Sequence, residues 1–78
     1  MIERIRVDGR VFEDFKFVGF GCFDGDGFLI IVEEKGGKYY AISLTGRVYN
    51  VTVENTQLQV EIPYGGGRVY RAPLRFKL

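Results

Sequence analysis

Runs of alternating apolar and polar residues, each cut short by a glycine or a polar turn, leave this chain little to build except β-structure. Seven runs follow one another, over residues 2–7, 11–20, 28–32, 38–44, 47–54, 57–62 and 68–78. The connections between them are too short for crossover helices, so neighbouring runs must pair antiparallel through hairpins. The expected fold is all-β: residues 1–78 form a single small antiparallel barrel or two-layer sandwich of about seven strands joined by short hairpins.

Parity fixes which side chains look inward. Ile5 and Val7 oppose Arg4 and Arg6 in the first run, and Asp8-Gly9 after it is a type I′ hairpin signal. The second run loses its alternation at Glu13-Asp14, where an extra residue would restore the facing of Phe15 and Phe17, so a bulge is expected there. Four glycines between Gly19 and Gly27 predict a loop or a sharply bent strand. Phe28 to Val32 is apolar on both parities, as in a strand covered on two faces, and should be the least exposed part of the molecule. Tyr49, Val51 and Val53 share one side of the fifth run, and Leu58, Val60 and Ile62 one side of the sixth. Gly65-Gly66-Gly67 reads as a hinge in a long hairpin. Pro73 removes a ladder donor from the last run and assigns it to an edge.

A chain of 78 residues buries only about 60% of the surface its unfolded form exposes, so the core is thin. Seven Phe and five Tyr concentrate its apolar mass in rings. Oligomerisation is a common way for such small domains to complete their burial. Cys22 is the single cysteine, so no intrachain disulfide exists and a reducing, cytoplasmic location is expected. The N-terminal residues lack the apolar core of a signal peptide, and no apolar run is long enough to span a bilayer. Two Asn, two Gln and an excess of Arg over Lys match the balance of heat-adapted proteins.

The segment Cys22-Phe23-Asp24-Gly25-Asp26-Gly27-Phe28-Leu29-Ile30-Ile31-Val32-Glu33 resembles the calcium loop of the EF-hand family. Asp24, Asp26, Gly27 and Glu33 fall at its third, fifth, sixth and twelfth places. The resemblance implies oxygen ligands around a hard cation between two helices. Cys22 stands where the first carboxylate belongs, and the flanks carry Gly19, Gly21 and Gly36-Gly37 in place of helices. The segment is therefore read as an Asp-Gly-Asp-Gly hairpin turn entering a buried strand, with no metal.

No constellation points to catalysis. The chain has no histidine, hence neither the commonest general base nor the commonest zinc ligand, and Cys22 has no imidazole to activate it. The acidic pairs Glu13-Asp14, Asp24/Asp26 and Glu33-Glu34 lie at turns or irregularities, where solvated carboxylates are ordinary. No cofactor is implied, and the expected role is non-enzymatic.

Charge is uneven along the chain although the net value is only +1. Residues 68–78 hold four basic residues and no acid, while residues 11–67 hold four basic residues against eight acids. If the first and last strands lie side by side, Arg4, Arg6, Arg71, Arg75 and Lys77 form one positive face. Tyr39 and Tyr64 are the tyrosines whose parity leaves them for the surface, whereas Tyr40, Tyr49 and Tyr70 belong to the edge of the core. The leading expectation is a protein-interaction or assembly module, a homo-oligomer that self-associates through a strand edge or an aromatic patch. The alternative is a barrel that binds DNA or RNA, with the basic residues on phosphates and Tyr39 or Tyr64 stacking on bases.

Overall fold

The computed structural model describes residues 4–23, 25–65, 68–73 and 75–77, those from 64 onward by backbone pairing. The protein is all-β. Nine strands form in order: β1 (Ile5–Val7), β2 (Arg10–Phe12), β3 (Phe15–Phe23), β4 (Asp26–Glu33), β5 (Tyr39–Ser43), β6 (Val48–Glu54), β7 (Gln57–Gly65), β8 (Arg68–Pro73) and β9 (Arg75–Lys77). β1 and β2 make a hairpin of their own. The other seven form one antiparallel sheet in the order β8-β7-β6-β5-β4-β3-β9.

The count exceeds the expected seven because two runs are each divided. The second run breaks at Glu13-Asp14, with Phe12 going to the hairpin and Phe15 opening the large sheet. The main-chain oxygen of Asp14 there accepts the N–H of Glu34 at 3.0 Å. The bulge expected at that break lies instead between Phe17 and Gly19. The last run divides between Pro73 and Arg75, and its halves pair at opposite ends of the sheet, β8 with β7 and β9 with β3. The edge assignment of Pro73 is met in β8, while the single continuous strand is not. The glycine-rich stretch after Gly19 is strand: β3 continues through Gly21 and meets β4 at the pair Phe23 and Asp26. The calcium-loop segment is thus an antiparallel hairpin.

Turn chemistry explains the registers. Val7 pairs with Arg10 across Asp8 (φ 50°) and Gly9 (φ 72°), both left-handed as a type I′ turn demands. Glu54 pairs with Gln57 across Asn55 (φ 52°) and Thr56 (φ 61°), the same geometry with a β-branched residue in the second place. In the β5–β6 connection Ser43 Oγ accepts the Thr45 N–H at 3.1 Å, and the Ser43 N–H donates to the Arg47 carbonyl at 2.7 Å.

The large sheet is buried on both faces. On one, Phe28, Ile30, Ala41, Val51 and Val60 form a cluster with Tyr39, Tyr49, Leu58 and Ile62 packed around it. Among the described residues every member of this cluster comes from β4 to β7 of the same sheet. Gly19 and Gly21 fall on this face, in register with Ile30 and Phe28, and leave room for the bend. On the other face Phe12, Ile31, Tyr40 and Ile42 cluster with Ile5, Val7, Phe15, Leu29 and Val48, which docks the β1–β2 hairpin. As expected, Phe28 to Val32 feeds both cores: Ile30 and Ile31, adjacent in sequence, are both fully buried in opposite clusters. Burial of a side chain of this size stabilises by about 1.5–3 kcal/mol. Val53, expected inside beside Val51, is exposed.

Candidate interaction surface

Basic residues near the chain ends do not meet through strand pairing. β1 bonds to β2 and not to the last strands, so the side-by-side condition for one positive face is absent from the hydrogen-bonded order. Arg4 is exposed and its guanidinium lies 2.8 Å from the Glu13 carboxylate. Arg6 is exposed in register with Val11. Backbone register places Arg71 opposite Glu61, Arg75 opposite Cys22 and Lys77 opposite Phe20. The side chains of Arg71, Arg75 and Lys77, and that of Tyr64 at the irregularity between Pro63 and Gly65, lie outside the described residues. Tyr39 is half-buried against the core and not a free surface ring, which corrects its expected place. Tyr40 is buried, and Tyr49 packs edge-on against Phe28 with ring centroids 5.7 Å apart.

Among the described residues the rings most open to the surface are Phe17 and Phe20, 53% and 51% exposed. They touch edge to face, centroids 5.4 Å apart. Odd spacing in a regular strand would set them on opposite faces, but the extra residue Val18 brings them to one. Phe17 is in register with Ile31 and Phe20 with Leu29, so both stand on the face that carries the β1–β2 hairpin, beyond its cover. Leu44, 76% exposed, lies on Gly27 at the margin of the same strand pair, its N–H donating to the Gly27 carbonyl at 3.2 Å.

Beside these rings runs an open strand edge. The hydrogen bond from Glu34 to Asp14 fixes which pairs of β3 and β4 are bonded, so Lys16 turns its main-chain groups to β4 while Phe15 and Phe17 turn theirs away. β9 covers β3 only along Phe20 to Cys22. Among the described residues no strand pairs with residues 15–19 on that side. Charge differs between the two ends of the edge. An open hollow lined by Glu13, Asp14 and Glu33, with Val11 and Lys35, borders its start, and the basic residues Arg75 and Lys77 are in register with its continuation.

No protein-family model, curated protein or solved structure matches this chain. Among the described residues no three of His, Cys, Asp and Glu gather as metal ligands, and no helix is long and apolar enough to cross a membrane.

Sequence parity missed Phe17 and Phe20 as a pair because it put the irregularity at residues 13–14. The signal that finds them is the switch of parity within β3, where large apolar residues run on odd positions through Phe17 and on even positions at Val18 and Phe20, with glycine taking the odd places at Gly19 and Gly21.

Proposed function

We propose that this protein is a non-enzymatic assembly module that associates with a second copy of itself through the open edge of β3. The carrying observation is the coincidence of two exposed, mutually packed rings with outward main-chain groups at Phe15 and Phe17. Exposed strand edges pair readily, and a two-fold contact near Phe17 would satisfy both features at once. Charge supports that occupant. Antiparallel pairing about such an axis brings Glu13 and Asp14 of each copy towards the end where the other holds Lys77 and Arg75 by backbone register. The scaffold is read as a small barrel: its inner cluster draws on one sheet alone, and β8 and β9, one residue apart, sit at opposite ends of the strand order. The reduced state suited to Cys22 supports a cytoplasmic location.

Sedimentation velocity over a wide concentration range tests this. The expected result is a dimer that Phe17→Ser and Phe20→Ser each convert to a monomer of unchanged circular dichroism. A wild-type chain that sediments as a monomer throughout defeats the reading.

One observation favours the alternative of nucleic-acid binding. Lys77 and Arg75 are in register with Phe20 and Cys22, so basic residues accompany an exposed ring. Titration with single-stranded DNA and RNA at low salt separates the two readings, because phosphate contacts give an affinity that falls steeply as salt rises.

A further inference from the structure

We propose that Arg10 and Lys38, gathered over the ring of Tyr40, form a binding site for a phosphate monoester. Arg10 Cζ lies 4.9 Å from the Phe12 centroid and 4.8 Å from that of Tyr40, while Lys38 Nζ lies 5.2 Å from the Tyr40 centroid. One buried ring therefore holds two cations, one from the start of β2 and one from the loop before β5. A ring face attracts a cation, but a second cation beside it is repelled by the first. An anion between them relieves that repulsion. Among the described residues neither Arg10 nor Lys38 makes an ion pair, although Glu33, directly across from Lys38, and Glu54 and Glu61 further along occupy the same side of the sheet. Both cations are exposed, so their donors are open to a ligand.

A separate observation lies next to them. Thr52 Oγ1 is buried with no hydrogen-bond partner. Thr52 shares the parity of Asn50, which pairs with Tyr40, and stands one step past the pair of Tyr39 and Val51, at the level of Lys38. An unpaired buried hydroxyl is costly, and a ligand seated beside Lys38 would bring an acceptor to the level of this donor. A guanidinium fork, an ammonium and a hydroxyl suit the three terminal oxygens of a phosphate monoester, whose dianion two cations neutralise. A carboxylate would leave one charge unmatched.

The test is an NMR titration of the full-length labelled protein with inorganic phosphate and with phenyl phosphate, against chloride at equal ionic strength. The expected result is saturable shifts confined to the amides of Arg10, Lys38, Asn50 and Thr52. Arg10→Gln and Lys38→Gln should each weaken binding on the order of tenfold, the loss of one charge-assisted hydrogen bond. Linear shifts, shifts spread over all basic residues, or unchanged affinity in both variants would overturn the site. A 5′-phosphorylated oligonucleotide should bind better than its unphosphorylated form, and equal binding would overturn the monoester in favour of backbone phosphate. Phe17→Ser leaves this binding intact, so the site and the assembly reading fail separately.

Discussion

Phe17 and Phe20 lie with their ring planes 71° apart on one face of β3, three positions apart in a strand whose regular period would separate them. The residue responsible is Val18, which has no counterpart on β4. Deleting Val18 leaves Phe17 and Phe20 two positions apart, the spacing that keeps them on one face of a regular strand with the register to Ile31, Ile30 and Leu29 unchanged. The deletion variant should fold and keep the cross-peaks between the two rings, and their loss would mean that Val18 is not the extra residue.

Phe12 fastens the β1–β2 hairpin. It is buried against Tyr40 with ring centroids 5.1 Å apart, and among the members of that cluster it is the one the hairpin buries most completely. Phe12→Ala should cost about 3–5 kcal/mol, as large-to-small changes at buried aromatics do. Hydrogen exchange should show the amides of β1 and β2 losing protection first, while β4 to β6 keep theirs.

Thr56 holds φ at 61°, an uncommon setting for a β-branched residue. Thr56→Gly removes that strain and should stabilise the protein by about 0.5–1 kcal/mol, by analogy with other residues relieved of a disfavoured backbone setting. A higher melting temperature with unchanged assembly is the expected readout. No gain would mean that the turn relaxes at little cost.

Arg4 and Glu13 form an ion pair at 2.8 Å with both side chains more than half exposed. Exposed pairs contribute about 0–1 kcal/mol. Arg4→Ala should therefore leave stability almost unchanged, in water and at high salt alike, in contrast to Phe12→Ala a few residues away.

Much of this architecture was legible from periodicity. The run from Phe28 to Val32 named the doubly covered strand because both of its parities are apolar, and Asp8-Gly9 named a turn because few other dipeptides accept two positive φ values. What stayed hidden depends on partners distant in sequence. Whether an irregular residue falls at 13–14 or at 18 is decided by the register with β4, and that decision alone assembles the exposed ring pair. The unbroken run from Arg68 onward gave no hint of serving two strands, since its alternation continues through the division. Tyr39 was misleading for a related reason: in a sheet covered on both sides, either parity can be sheltered, so Tyr39 packs against one core and Tyr40 belongs to the other.

Because β8 and β9 are consecutive and bond to opposite margins, a single residue tethers lanes that lie furthest apart in the ladder order. β9 meets β3 at only three pairs, Phe20 to Cys22, so its release would lengthen the bare rim of β3 while the pairs of β8 with β7 hold.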